Sequence, residues 1–459
     1  MDATRSSVDD IVARLERLPT SWWQVKTRII VGVATFFDAF DALAIASVLP
    51  VIAPLWKLTP QEISFMIAAG FVGQLIGAML FGWVAERYGR MSAMIWSIAL
   101  FGVMSLVCAF AWDYNSFLLF RIIQGIGLGG EVPVAAVFIS ELAKAQARGR
   151  FVLLYELVFP IGLVAASLVG LWVVPKWGWQ YMFVIGAVPA LLALALRWML
   201  PESPRWLAVR GRAGDAEAAM RLIEHETEKA LGRPLPSPSP VVATILKSAS
   251  LGDLFGSLYL RRTLVVWVIW FAAYFVNYGL SIWLPTVYRT VFQLPLDLSL
   301  RYGLVTQAVG FLGTLICALT IDHVGRRLWF AVSFAAATLA LAGLALYPRP
   351  SAEQVLISMS IAYFFVSTIN IGVYLYTPEL YPTRVRALGV GTATAWLRLA
   401  SIIGPVAVSM MIGARLTPAQ VVDLPKVFLV FAAVAGVATV ITAIFAVETK
   451  GRVLEEASP

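Results

Sequence analysis

Twelve apolar segments, each long enough to cross a lipid bilayer, constrain this chain more than any other feature. A hydrocarbon core about 30 Å thick needs roughly 20 apolar residues per helix. Only 14% of the 459 residues are charged and 60% are hydrophobic, so a soluble fold is excluded. We name the segments spans one to twelve; they run near 29–51, 64–85, 92–112, 117–140, 151–174, 180–200, 264–287, 302–321, 328–347, 354–377, 387–413 and 427–447. They predict an all-α membrane protein with twelve transmembrane helices.

The chain has a net charge of +8, and most of its basic residues lie between the spans. Lysine and arginine concentrate in the loops on the side of both termini, and the opposite loops carry few. Such loops usually face the cytoplasm. We therefore expect a multi-pass protein of the inner (plasma) membrane with both termini cytoplasmic, in contact with the lipid bilayer and with no nucleic-acid partner.

Residues that carry out catalysis or bind metals are sparse. Cys108 and Cys317 fall in apolar runs, whereas His225 and His323 fall in polar stretches. No His/Cys cluster, catalytic constellation or GxxxxGK[ST] nucleotide loop occurs, and the glycine run of 125–130 lies inside an apolar span, where glycines let helices pack closely. We expect no enzyme activity, no cofactor and no metal. A non-transporting receptor of the same fold stays open.

The two halves of the chain repeat one another. GWVAERYGRM (82–91) recurs as ALTIDHVGRR (318–327), and SELAKAQARGR (140–150) recurs as PELYPTRVRALG (378–389). This pattern predicts two six-helix bundles in a parallel repeat, an arrangement that suits alternating access. The predicted division is an N-terminal segment 1–28, a first bundle 29–200, a solvated central loop 201–262, a second bundle 263–447 and a tail 448–459.

Charged residues of these repeated motifs lie at the ends of spans. We interpret them as gating residues that form ion pairs between helices and favour the outward-open state, rather than as contacts to a substrate. They are Glu86, Arg90, Glu141 and Arg148 in the first half and Asp322, Arg326, Glu379 and Arg386 in the second.

These motifs also carry a family resemblance that covers about residues 30 to 456. GWVAERYGRM resembles the loop between helices 2 and 3 of the major facilitator superfamily, and PELYPTRVRALG looks like its sugar-porter and organic-ion-transporter branches. FFDAFD in span one and GIGLGGEVPVA (125–135) are similar to bacterial niacin transporters of the NiaP type. Span seven lacks the Gln-Gln pair of sugar porters, which argues against a sugar. The resemblance implies a central cavity lined by spans one, four, seven and ten.

Acidic residues inside the spans are candidates for proton coupling, because a charge at the bilayer centre is costly and seldom kept without a role. Asp38 and Asp41 lie three residues apart on one face of span one, so one of them is expected to hold a proton. Glu131 is a second candidate, with a structural pair to Arg121 or another arginine as the alternative. Glu156 either pairs with a cavity arginine or is simply hydrated.

Arg398, in the middle of span eleven, is the leading candidate for substrate binding. Its guanidinium can hold a carboxylate with two hydrogen bonds, and the helix-11 arginine of organic-anion transporters, which this chain resembles here, falls on this position. A structural ion pair is the alternative. Polar and aromatic faces of spans four, seven and ten add Gln124, Tyr274, Asn277, Tyr278, Asn370 and Tyr374 as residues that frame a flat ring.

Together these features predict a monomeric secondary transporter. The expected substrate is a small aromatic carboxylate, nicotinate first, taken up with protons. The alternatives are an organic cation, which would bind the carboxylates directly, and a hydroxybenzoate-type aromatic acid.

Overall fold

The computed structural model describes residues 2–19, 21–142, 157–238, 250–413 and 417–450, whose regular structure is helical throughout. In chain order the spans are Trp22–Leu55, Pro60–Tyr88, Arg90–Ala109, Tyr114–Leu142, Val158–Trp177, the pair Gln180–Gly186 and Pro189–Met199, Leu260–Ser281 continued by Leu284–Thr290, Leu296–Val324, Arg326–Ala345, Ala352–Glu379, Thr383–Ile412 and Leu424–Phe445. Eleven are long and apolar enough to cross a membrane, and the sixth is a shorter apolar helix. The predicted all-α membrane fold is confirmed.

Two span boundaries differ from the predicted windows. Span one begins at Trp22 rather than near 29, because its first turns carry polar side chains that an apolar window leaves out. Span six is two short helices, and the second begins with Pro189. Proline has no N–H to donate to the preceding turn, and its ring favours the first position of a new helix.

The region 201–262, predicted to be a solvated central loop, has helical structure that was not predicted. It contains the helices Pro204–Val209 and Ala213–Leu231. Apolar residues repeat at helical spacing along the second of these and are buried: Ala216, Ala219, Met220 and Ile223. Since charged residues surround this apolar stripe, overall composition conceals it.

The N-terminal segment is also helical, at Asp2–Glu16, and it packs on these loop helices. Arg14 donates to Glu224 at 2.6 Å and to Glu217 at 2.5 Å. The N-terminal helix and the loop helices therefore form one cap on the first half, at the end of the bundle that carries both termini. We call this the terminal end.

Ion pairs of the repeated motifs connect helices within each half. Arg90 Nη2 lies 3.0 Å from Glu86 Oε1 and 3.1 Å from Glu141 Oε1, which joins spans two, three and four. The second half repeats the arrangement around Arg326, with distances of 2.8 Å to Asp322 and 3.0 Å to Glu379. Their effect on the outward-open state stays a prediction.

The two remaining predicted gating residues differ in what can be said of them. Arg386 donates to the carbonyl of Tyr381 at 3.1 Å, so it contributes to the turn that precedes span eleven. Arg148 lies outside the described residues.

Glu202, just after span six, caps the beginning of span three. Its carboxylate accepts the backbone N–H groups of Arg90 at 3.0 Å and Met91 at 3.1 Å. Gly89 precedes them at φ +109°, and a Cβ there would overlap the carboxylate. Burial raises the pKa of Glu202 above its ordinary value, while these N–H groups and Arg90 act in the opposite direction.

The second half builds the same cap with Glu448, just after span twelve. This carboxylate accepts the backbone N–H groups of Arg326 and Arg327, both at 3.0 Å, and Gly325 precedes them at φ +100°. The segments PESPRWL (201–207) and VETK (447–450), which follow the last span of each half, therefore place their glutamates in the same structural role. In each half the last span returns a carboxylate to the N-terminus of the third span, where the helix dipole favours negative charge.

The halves meet mainly where span two packs against span eleven and span five against span eight, and the Leu284–Thr290 part of span seven also contacts span one. Near the end opposite to the termini, Ser64 donates to Ser409 at 2.8 Å across this interface. Deeper in, the rings of Phe71 and Tyr278 lie 5.0 Å apart between centroids. These contacts close the central space at the opposite end.

We predict that Glu202→Ala and Glu448→Ala each lower the free energy of unfolding by about 1–3 kcal/mol, because each leaves helix N–H groups without a charged acceptor. The midpoint of thermal unfolding of the protein in detergent measures the effect. Glu353→Ala, which removes an exposed glutamate from the first turn of span ten, is the matched control and should change little. Equal midpoints for all three variants would contradict the capping role.

Candidate functional site

A cavity of about 830 Å³ of empty space lies between the halves. Spans one, four, five, seven, eight, ten and eleven contribute its walls. The polar lining residues are Thr35, Asp38, Tyr274, Asn277, Tyr278, Gln307, Thr314, Tyr363, Ser367, Asn370, Tyr374 and Arg398. All substrate candidates from spans seven, ten and eleven therefore share one cavity.

Tyrosine rings form one wall of this cavity. Trp270 supports them from behind: its ring stacks on Tyr274 at 5.7 Å with a 15° interplanar angle and meets Tyr374 edge-on at 4.8 Å. The ring centroid of Tyr278 lies 5.9 Å from that of Tyr274. Because aromatic pairs of this geometry attract one another and restrict ring motion, the wall offers a firm apolar surface with hydroxyl groups at its rim.

Three oxygen atoms in the cavity have no hydrogen-bond donor among the described residues. They are Oδ1 of Asp38, Oδ1 of Asn277 and Oδ1 of Asn370, and each is buried. Asp38 and Asn277 are each only 2% exposed. Most buried polar atoms in proteins do have partners, so this group of acceptors is unusual.

Arg398 places the positive charge of span eleven in the same cavity. Its Nη1 donates to the side-chain oxygen of Gln74, which belongs to span two in the other half. No carboxylate of the described residues lies within 4.0 Å of its guanidinium nitrogens, so the ion pair with Asp38 or Asp41 considered from the sequence is not formed. A neutral partner, the side chain of Gln74, orients the guanidinium in the place of an ion pair with a described residue.

Gln74 is held in place by a close crossing of spans two and four. A Cβ at Gly129 would overlap the backbone carbonyl of Gln74, and one at Gly73 would overlap the carbonyl of Ile122. The glycine run of span four therefore brings the two backbones together, as the sequence predicts. This crossing fixes the position from which Gln74 reaches Arg398.

The two aspartates of span one have different surroundings. Asp41 lies outside the cavity lining, and its carboxylate accepts from Arg121 Nη1 and from Gln124 Nε2, both at 2.7 Å. Three residues along a helix turn the side chain by about 300°, a net difference of about 60°. Asp38 therefore borders the cavity while Asp41, on the adjoining part of the same face, contacts span four. Arg121 thus pairs with Asp41 and not with Glu131.

The structure also separates the two other candidates from span four. Gln124 takes part in the Asp41 cluster and does not line the cavity, so we no longer assign it to substrate binding. Glu131 is fully buried and accepts a hydrogen bond from Thr35 at 3.1 Å, one shell behind the cavity wall. Glu156 lies outside the described residues.

Sequence reasoning overlooked several uncharged polar residues. Gln307 of span eight accepts from the hydroxyl of Tyr363 at 2.7 Å and lines the cavity, and so does Thr314. Gln74 was missed in the same way. Each is a polar residue in the middle of an apolar span, a signal that a search for ionisable groups alone ignores.

A metal centre finds no support in the part of the chain that the structure describes. That part contains no group of three His, Cys, Asp or Glu residues able to hold a metal ion. Cys108 and Cys317 are buried free thiols.

Known proteins resemble this chain over most of its length. The sequence profile of the sugar (and other) transporter family matches residues 33–459. The niacin transporter NiaP of Acinetobacter baylyi is 31% identical, over 97% of this chain and 99% of the relative. The 4-hydroxybenzoate transporter PcaK of the same organism is 27% identical, over 88% of each chain.

A solved structure shares the fold. The xylose transporter XylE of E. coli, in a partially occluded inward-open conformation, superposes with a TM-score of 0.72, covering 94% of this chain and 100% of XylE at 21% identity. The family match, the repeat and the cavity between two six-helix bundles agree with one another. The chain therefore belongs to the sugar (and other) transporter family of the major facilitator superfamily, and it is a transporter rather than an enzyme.

Proposed function

We propose that this transporter carries a small aromatic carboxylate, nicotinate first, across the inner membrane together with a proton. The observation that carries the proposal is Arg398, a guanidinium with no described carboxylate partner, in a cavity walled by tyrosine rings. A carboxylate would accept two hydrogen bonds from it, and the ring of the ligand would pack against Tyr274, Tyr278 and Tyr374.

Similarity to NiaP supports nicotinate as the first candidate. Similarity to PcaK supports a hydroxybenzoate as the second, and the two ligands share the features that the cavity addresses, a flat ring and a carboxylate. An organic cation is the third candidate. It would have to bind Asp38 in the same cavity as the charged guanidinium of Arg398, which repels it.

Asp38 is the proposed proton carrier. It lies in the cavity with an unpartnered carboxyl oxygen, whereas Asp41 is committed to Arg121 and Gln124. A carboxyl group that exchanges its proton with the cavity can couple substrate and proton movement. XylE, which shares the fold, is itself a proton:xylose symporter. Alternating exposure of the cavity then requires the contacts at the opposite end, such as Ser64 with Ser409, to open.

In this proposal the terminal end faces the cytoplasm, as the distribution of basic residues predicts. The closed opposite end then corresponds to the outer side of the membrane. The described contacts between the halves belong to a state in which the cavity is closed to the outside. Glu131 stays a second candidate for coupling, since it reaches the cavity wall through Thr35.

Uptake of radiolabelled nicotinate into proteoliposomes tests the substrate and Arg398 together. We expect an inward proton gradient to stimulate uptake, and benzoate-type acids to compete better than nicotinamide or a quaternary amine. Arg398→Ala should raise KM at least about tenfold, because a hydrogen-bonded charge of this kind contributes roughly 1.5–3 kcal/mol. Arg398→Lys should recover part of the loss, since lysine keeps the charge but not the paired donors.

Arg301→Ala is the control for this experiment, since it removes an arginine that is exposed near the beginning of span eight. It should leave KM unchanged. Competition by the quaternary amine alone would refute the carboxylate proposal and favour the organic-cation alternative.

We expect Asp38→Asn to change transport and Asp41→Asn to change stability. Asp38→Asn should abolish the stimulation by a proton gradient while retaining exchange of internal for external substrate, because exchange needs no net release of a proton. Asp41→Asn should instead lower the thermal midpoint and the yield of folded protein, because breaking a buried ion pair costs about 3–5 kcal/mol. Gradient-driven uptake by Asp38→Asn at the wild-type rate would exclude Asp38 as the proton carrier.

A further inference from the structure

The cavity combines one strong donor with several unpartnered acceptors. Arg398 supplies the donor group. The acceptors are Oδ1 of Asp38, Oδ1 of Asn277 and Oδ1 of Asn370, none of which has a donor among the described residues. They come from spans one, seven and ten, so both halves contribute acceptor residues to the lining of one cavity.

A benzoate-like ligand would complete only half of this site. Its carboxylate would bind Arg398. Its ring, which has no hydrogen-bond donor, would leave the three acceptor oxygens unpaired and out of contact with water. An unpaired buried acceptor weakens binding by roughly tenfold, within a wide range. Sites that hydrogen-bond a polar group of the substrate reject the analogue that lacks this group strongly.

We infer that the substrate carries, besides its carboxylate, a hydrogen-bond donor on the ring that Asp38 and the two asparagines recognise. This inference rests on the proposed function, because it takes the carboxylate to be bound by Arg398. The donor is either a phenolic hydroxyl or a protonated ring nitrogen. A ring without a donor is the substrate that this site disfavours.

For a pyridine carboxylate the donor is created by a proton transfer within the site. A proton leaves the carboxyl group of Asp38 and forms an N–H bond with the ring nitrogen, using the lone pair of that nitrogen. Asp38 becomes a carboxylate that accepts from the new N–H group, and the ligand becomes a zwitterion. The total charge of the cavity is unchanged, so Asp38 still supplies the symported proton, which the ligand holds while it is bound.

Asp38 discriminates between hydrogen-bond donors and acceptors on the ligand more strictly than Asn277 and Asn370 do. An amide can turn its nitrogen towards the ligand and donate instead. An ionised carboxylate only accepts. The preference for a ring donor should therefore depend on Asp38 most strongly and on Asn277 and Asn370 by smaller amounts.

Binding to the purified full-length protein in detergent, measured by calorimetry at one pH, tests the inference with two matched ligand pairs. We expect 4-hydroxybenzoate to bind at least about tenfold more tightly than 4-methoxybenzoate, which keeps the ring oxygen and loses the donor. We expect nicotinate to bind at least about tenfold more tightly than N-methylnicotinate, in which a methyl group replaces the proton on nitrogen.

Variants locate the effect. In Asn277→Leu the gap in affinity, the ratio of the Kd of 4-methoxybenzoate to that of 4-hydroxybenzoate, should shrink several-fold. In Asp38→Asn this ratio should shrink further. Asn115→Leu alters an exposed asparagine at the beginning of span four and should leave the gap as it is. Thermal midpoints of the variants confirm that each has folded.

The outcomes separate the inference from the proposed function. If none of the four carboxylates binds, the proposed function itself fails. If the donor-bearing and donor-free ligands bind equally well, the carboxylate site survives and the ring donor is refuted. A gap that persists unchanged in Asp38→Asn and Asn277→Leu also refutes the inference, since the recognition would then lie elsewhere.

Discussion

The absence of water from the bilayer core is the constraint on which this structure depends. Backbone groups within the core must be paired inside the protein, which leaves helices as the structure of the spans. The same constraint applies to side chains. A charge within the spans is kept either because another group compensates it or because a ligand does. Asp41 with Arg121 and Gln124 exemplifies the first case. In the function that we propose, Arg398 with its neutral partner Gln74 exemplifies the second.

The repeated architecture follows from the same need to pair polar groups, here at the ends of the spans. Helix N-termini expose N–H groups that need acceptors. Glu202 and Glu448 supply these acceptors from the end of each half, so that the end of the last span contacts the beginning of the third span of the same half. Glu86, Arg90 and Glu141, with their counterparts in the second half, connect the neighbouring helices. Each half is thereby a self-contained unit, which is what a rocking mechanism requires.

The sequence predicts the fold well because hydrophobic length and charge placement are local properties. Twelve spans, their repeat and the close packing of the glycine run in span four could all be inferred from short stretches of residues. The stripes of spans seven and ten were also recognisable, because helical spacing alone places Tyr274 beside Asn277 and Tyr278.

The partners of buried charges could not be predicted, because they depend on how distant spans face one another. Spacing suggested that Asp38 and Asp41 act together, yet a turn of span one separates them. Arg121 finds Asp41 rather than Glu131, and Arg398 finds Gln74, a residue from the other half. The buried face of the helix Ala213–Leu231 was overlooked for a related reason: its partner, the N-terminal helix, lies about two hundred residues away in the chain.

The contact between Gln74 and Arg398 has a consequence for how easily the halves can part. A cross-half ion pair would have to be pulled apart in a medium of low dielectric constant, where separating opposite charges is expensive. An amide and a guanidinium exert a weaker and shorter-ranged attraction, so the movement meets a smaller electrostatic barrier. In the proposed transport cycle, the hydrogen bond between Gln74 and Arg398 would therefore break and form again more readily than an ion pair between the halves.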